Sequence, residues 1–278
     1  MTAGAPGARR REGNLARDAA ERGDRPAGLP FGPVKPFLLL ATRPEDAAAD
    51  SEYEAFLRYG GLEERELVRI RLDAAPLPPI ELSDYSGIFV GGSPYTGSIP
   101  LEHKSDTQRR VEADLAGLLD VVVAEDFPFL GACYGVGTLG RHQGALIDGT
   151  YAEEISAPAI ELTEAGRADP LLADLPPAFR AFVGHKEAMT SLPEGAVLLA
   201  TSVTCPVQMF RVRQNLYGTQ FHPELDVPGL LERIRIYRDA GYFPPGEQAR
   251  VEKMARTAAV DGTPNRILRS FVERYAHD

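Results

Sequence analysis

Residues 129–137 read FLGACYGVG, setting one of the chain's two cysteines, Cys133, between an apolar run and a second glycine. An apolar strand that enters G-x-C-x-G and then a helix is the cysteine form of a nucleophile elbow. A side chain held at so sharp a turn stands above the sheet, and Gly131 and Gly135 let the backbone take strained angles and approach its neighbours. The helix that starts there points its free N–H groups and the positive end of its dipole at the sulfur, favouring thiolate and any oxyanion formed nearby. A free cysteine also serves as a small buried apolar residue, so the chemistry needs a partner base.

Residues 218–224, GTQFHPE, offer one. In an extended segment residues two apart share a side, so His222 and Glu224 can lie together, and Pro223 biases His222 toward extended angles. One imidazole nitrogen can then take the Cys133 proton while Glu224 holds the other, a nucleophile, base and orienter scheme. Gly91-Gly92-Ser93-Pro94 closes another expected strand, where open parallel sheets bind ligands. The N–H groups of Gly92 and Tyr134 are the candidates to receive the oxyanion of a tetrahedral intermediate.

The elements that must position these residues are legible in the hydrophobic pattern. Residues 37–40 read as a buried strand and 46–59 as the helix after it; Val68, Ile70 and Leu72 alternate with arginines as in a half-exposed strand. Residues 88–90 make a third strand. Val111, Leu115, Leu118 and Val122 recur at helical spacing, so the valines at 121–123 end a helix, and Pro128 marks the break before a strand over 129–132. This alternation implies an α/β fold, a mostly parallel central sheet with helices on both faces. Beyond Gly144, short strand candidates at 181–183, 196–200, 207–212 and 216–221 imply antiparallel pairs added in the second half, with a hairpin loop at 213–215. Amphipathic helices are expected over 229–240 and 264–276. The expected division is a flexible leader over 1–33, one domain over 34–228, and a C-terminal helical extension over 229–278.

The chain has 278 residues, net charge −10 and 25% charged residues. The acidic balance without a long basic run argues against nucleic acid or an anionic membrane as main partner, and favours a small-molecule substrate or another protein. Two cysteines make no disulfide framework and no ligand spacing suggests a metal, so neither metal nor cofactor is expected. No signal-peptide core is seen, and a cytoplasmic protein is expected.

The elbow, the FHPE segment and the GGSP turn, in this order, resemble the class I glutamine amidotransferases, and most of all stand-alone proteins similar to the amidotransferase domain of GMP synthase; the resemblance covers about residues 36–226. It implies a flavodoxin-like fold, with Cys133 as nucleophile, His222 as general base and acid, and Glu224 as orienter. Gly92 and Tyr134 would supply the oxyanion amides, and Gly91, Ser93, Gly135 and Gly137 substrate contacts. The implied reaction attacks the side-chain amide of glutamine, passes through a glutamyl thioester and releases ammonia to a synthetase site. This sequence departs from the family pattern G-x-C-x-G-x-Q, placing Gly137 where the family's substrate-contacting Gln stands; Gln143, six residues on, falls on another side of a helix.

Neither a P-loop nor an S-G-G-x-D loop is present, so any ammonia acceptor is a separate synthetase subunit or solvent. A γ-glutamyl conjugate hydrolase with the same triad, and a non-catalytic binding module on the same fold, are the alternatives. Residues 184–187, GHKE, resemble the family's histidine-bearing loop; a polar loop with a hydrogen-bonded His is the plainer reading. Arg141 and His142 are expected at the surface, and Cys205 is expected to pack.

Overall fold

A computed structural model describes Met1 and residues 35–276, so the leader expected over 1–33, Met1 apart, lies outside the described residues. Strands β1 (Phe37–Ala41), β2 (Leu67–Arg71), β3 (Gly87–Val90) and β4 (Phe129–Ala132) are interleaved with helices α1 (Asp46–Gly60), α2 (Asp106–Glu125) and α3 (Tyr134–His142). There follow β5 (Ile147–Asp148), β6 (Glu153–Ser156), β7 (Ala159–Leu162), the short α4 (Glu164–Ala168), β8 (Ala178–Arg180), β9 (Val183–His185) and β10 (Ala188–Met189). The last strands are β11 (Val197–Thr201), β12 (Met209–Val212) and β13 (Leu216–Thr219), before helices α5 (Val227–Ile236), α6 (Gln248–Thr257) and α7 (Arg266–Tyr275).

Nine strands form one sheet in the order β2-β1-β3-β4-β13-β12-β11-β7-β8. The first five run parallel, an arrangement equivalent to the flavodoxin-like order 2-1-3-4-5. The remaining four are joined by antiparallel pairings. The expected α/β class and its change of character in the second half are both present.

Period-two alternation divides the core between the two faces. Phe37, Leu39 and Phe89 point into one layer with Phe56 of α1 and Phe271 of α7, and Leu38, Leu40, Ile88 and Val90 into the other with Val111 and Leu115 of α2 and Leu139 of α3. Since α7 closes the same layer as β1, the C-terminal helices are more than an appended extension. They share the core of the segment expected to end at 228, because the apolar side of α7, with Ile267, Leu268, Phe271 and Val272, is what covers those strands.

Two local differences have plain causes. Residues 181–183 fall at the junction of β8 and β9: the chain leaves the main sheet after Arg180, and Val183 then pairs with Ser156 of β6 in a separate two-stranded sheet. Helix α6 and strands β6 and β7 were not anticipated, because α6 buries only Val251 and Ala255 and the strands are four residues each. Among the described residues, no helix is long and apolar enough to cross a membrane.

Candidate functional site

Ligand sites in open parallel sheets lie beyond the carboxyl ends of the strands, near the switch in strand order between β1 and β3. Arg43 follows β1, Gly91 to Ser93 follow β3, Cys133 follows β4 and His222 follows β13. Those four strands are consecutive neighbours, and β4 and β13 are in register from Phe129↔Leu216 to Ala132↔Thr219. Cys133 and His222, remote along the chain, therefore emerge side by side.

Cys133 has φ 52° and ψ −92°, a conformation that costs a non-glycine residue strain and is held by over-determined surroundings. Its N–H donates to Thr219 O at 2.7 Å, tying the turn to β13, and its carbonyl opens α3 by accepting from Val136 and Gly137. A Cβ on Gly131 would lie 2.6 Å from the backbone of Gly135, so only glycine lets the strand and helix approach this closely. The sulfur is half-buried at the N-terminus of a nine-residue helix.

His222 is buried, its N–H bonded to Phe182 O at 3.0 Å. The ring Nδ1 is 2.7 Å from Glu224 Oε1; facing a carboxylate, that nitrogen carries the proton and leaves Nε2 for Cys133. Burial pulls the imidazole pKa down, but the charges of Glu224 and Cys133 and hydrogen bonds to both outweigh it, and the pKa is raised to about 9. Glu224 is fully buried; that burial opposes ionisation, yet His222 and Arg233 hold its carboxyl far below the usual range. Asn265 fixes the segment by donating to Pro223 O at 2.7 Å and Leu225 O at 3.3 Å.

Behind the pair lies a buried chain of charges that sequence reasoning missed. Arg233 Nη1 donates to Glu224 Oε1 at 2.9 Å and Nη2 to Glu52 Oε1 at 3.3 Å; Arg43 Nε donates to the same Glu52 oxygen at 2.9 Å and its Nη1 to the Tyr237 hydroxyl at 3.3 Å. A signal was available: Glu52 stands between Ala48 and Phe56 on the buried stripe of α1, and Arg233 beside Leu230 and Ile234 on that of α5. A charge inside an apolar stripe calls for a buried partner.

This network revises part of the expected site. The Gly92 N–H donates to Glu52 Oε1 at 3.1 Å and so is not open to an oxyanion in this structure. A Cβ on Gly91 would sit 2.2 Å from Glu52 Oε2, and one on Gly92 2.3 Å from Arg43 Nη2, so these glycines make room for the buried ions. Gly135 packs against Val90. Of the four expected substrate contacts, Ser93 and Gly137 line a hollow beside Cys133, together with Tyr134, His185 and Glu187, whereas Gly91 and Gly135 do not.

His185 also lines that hollow. It is held at both nitrogens: Nδ1 lies 3.0 Å from Glu187 O and Nε2 2.9 Å from Glu153 Oε2. Gln208 Nε2 donates to the same Glu153 oxygen at 2.9 Å, and the Thr204 hydroxyl donates to the other. Glu153, His185 and Cys205 offer ligand atoms within 4.8 Å of one another, a donor set that could hold a metal. As it stands the imidazole is fully engaged, and burial pushes the Cys205 thiol up to about 12, so no thiolate is offered. His142 reaches Asp120 at 2.9 Å and Arg141 is exposed, in keeping with a surface position.

The chain matches the family model "Glutamine amidotransferase class-I" over residues 50–228. It is 31% identical over 148 residues to the GMP synthase [glutamine-hydrolyzing] of Porphyromonas gingivalis strain W83, covering 53% of this chain and 26% of that protein. It is 34% identical over 99 residues to the GMP synthase of Bacillus cereus strain G9842, 35% of this chain and 19% of the other. The chain thus spans about a quarter or less of these relatives. A crystal structure of a glutamine amidotransferase from Thermotoga maritima superposes with TM-score 0.69 at 21% identity, covering 87% of this chain and 98% of that one. One from Methylobacillus flagellatus gives 0.65 at 17%, with 88% and 97% covered. With the family model spanning most of the parallel sheet, the elbow and the His222 segment, the chain belongs to the class I glutamine amidotransferases.

Proposed function

We propose that the protein hydrolyses the side-chain amide of glutamine through a thioester on Cys133 and releases ammonia to a separate synthetase subunit or to solvent. The observation that carries this reading is the strained Cys133 at the start of α3, beside a buried His222 whose Nδ1 is fixed by Glu224 at 2.7 Å. In the first step His222 takes the thiol proton and the sulfur adds to the amide carbon. The oxyanion is received by the Tyr134 N–H at the first turn of α3 and by Ser93, the next amide after the engaged Gly92. Collapse breaks the C–N bond as His222 returns its proton to nitrogen, and water then adds to the thioester and frees glutamate.

One observation favours a second reading, a hydrolase of γ-glutamyl conjugates. A Cβ on Gly137 would meet nothing nearer than Glu187 Oε1 at 3.8 Å and Ile147 Cδ1 at 3.9 Å, so the space of the family's Gln stands open to substrate.

A diazo-ketone analogue of glutamine, followed by mass analysis, tests the chemistry. One adduct is expected on Cys133, lost in Cys133→Ala and slowed in His222→Ala. Labelling at Cys205 alone, without glutamate release from glutamine, would leave the binding-module reading.

A further inference from the structure

Two hollows meet at Cys133. Both are lined by Ser93, Cys133, Gly184 and Tyr242; the first continues past Tyr134 and Gly137, and the second past His222. They are alike in size, about 410 and 420 Å³ including the part open to solvent. Only the second is lined by His222, and the two have different chemical work. Whatever amine departs must receive its proton from the imidazole, so the leaving group lies on the His222 side and the glutamyl chain on the other.

Ammonia has the size of water, whose share of volume is about 30 Å³. A hollow as large as the one opposite is more than ammonia requires. Its walls are also wrong for a route built for a small polar product. Ile155, Val183, Leu225 and Leu230 line it with the rings of Tyr237 and Tyr242, whose centroids are 6.1 Å apart at 61°. The two guanidiniums at its edge, Arg43 and Arg233, are neutralised by Glu52 and Glu224. An apolar, aromatic-walled and charge-balanced space suits an uncharged aryl group.

Resting on the Cys133 amide-hydrolase reading, we propose that this second hollow is a leaving-group subsite, and that the substrates include γ-glutamyl amides carrying an arylalkyl group on nitrogen. The step balances as for glutamine. The Cys133 sulfur bonds to the γ-carbonyl carbon, the C–N bond breaks, nitrogen takes the proton held by His222 and leaves as the arylalkylamine, and water releases glutamate and restores the thiol.

The test compares glutamine with γ-glutamyl benzylamide on the full chain, reading glutamate. The benzylamide is expected to have kcat/KM on the order of tenfold above glutamine, in line with an aryl group filling an apolar site. Leu230→Trp, which narrows the hollow, lowers the benzylamide-to-glutamine ratio by a similar factor. Should that variant not fold, wild-type protein turning over glutamine with added benzylamine gives the same information, since an amine seated there captures the thioester and γ-glutamyl benzylamide forms at an initial rate that saturates with benzylamine. Glutamate from glutamine alone, with no capture, overturns the subsite and leaves the amide-hydrolase reading standing. Glutamate from neither substrate overturns both.

Discussion

Among the described residues two buried histidine–glutamate pairs stand out, His222 with Glu224 at 2.7 Å and His185 with Glu153 at 2.9 Å. In both pairs the side chains are almost wholly buried, and both histidines stand near Cys133. They differ in the second nitrogen. In His222 it faces the sulfur, whereas in His185 it is bonded to a backbone carbonyl. A buried imidazole and a carboxylate are therefore not enough for proton transfer; one nitrogen must be left with a group that can exchange a proton. The His185 pair instead holds the backbone at Glu187, whose carboxylate accepts from Gly97 N at 2.9 Å and Ser98 N at 2.6 Å and so secures one wall of the substrate hollow.

The sharpest way to break this comparison is to delete each ring. His222→Ala is expected to lower kcat by about 10⁴-fold, the upper range for losing a general acid–base group. His185→Ala should alter kcat by less than tenfold and act on KM, so equal losses of kcat would refute the distinction. The second effect is on stability. His185→Ala leaves the Glu153 carboxylate with Gln208 and Thr204 but no ring partner, and Arg233→Met strips Glu224 of its guanidinium; each should destabilise the fold in denaturant melts, by up to about 3–5 kcal/mol, as breaking a buried pair does. Of the two, only Arg233→Met should also change the pH profile.

That profile gives the third prediction. With its pKa raised to about 9, His222 holds the proton needed by the leaving amine until the pH passes that value, and kcat should fall through an alkaline limb near 9. In the folding balance a raised pKa means that the protonated pair adds stability in full below the ordinary value of 6.5, lost as pH rises through about 9. Glu224 has the opposite sign, its contribution being present above the ordinary carboxylate range and lost as acid protonates it. Glu224→Gln should move the alkaline limb down by about a unit, roughly 1.4 kcal/mol. A limb that stays in place would show that the carboxylate does not set it. The smallest effect is expected for Gly137→Gln, which fills the open space beside Glu187 and should lower KM for glutamine about fivefold, the worth of one added hydrogen bond.

Much of the parallel half was readable because it is local. β1, β3 and β4 are uniformly buried runs, α2 carries its apolar stripe over twenty residues, and the elbow needs only a cysteine, two glycines and the strand before them. His222 and Glu224 were readable because two residues of extended chain face one way. The charge network was not, since Arg233 and Glu52 are 181 residues apart and their meeting depends on how α1 and α5 pack. For the same reason the oxyanion assignment to Gly92 failed to foresee Glu52, a helix residue that reaches over the turn. The GHKE loop was readable as a hydrogen-bonded histidine, but its partner Glu153 is 32 residues away on a strand too short to announce itself.

The packing of Phe271 from α7 against Phe37 of β1 and Phe89 of β3 bears on how the polypeptide is made. These rings come from near opposite ends of the described residues, and β4, which carries the elbow, lies between β3 and the late strand β13. During synthesis the early strands must wait, with one apolar layer uncovered, until residues 266–275 leave the ribosome exit tunnel. That layer can thus close only after translation of the described residues is nearly finished, and a nascent chain arrested before α7 should leave Phe37 and Phe89 uncovered and recruit chaperones.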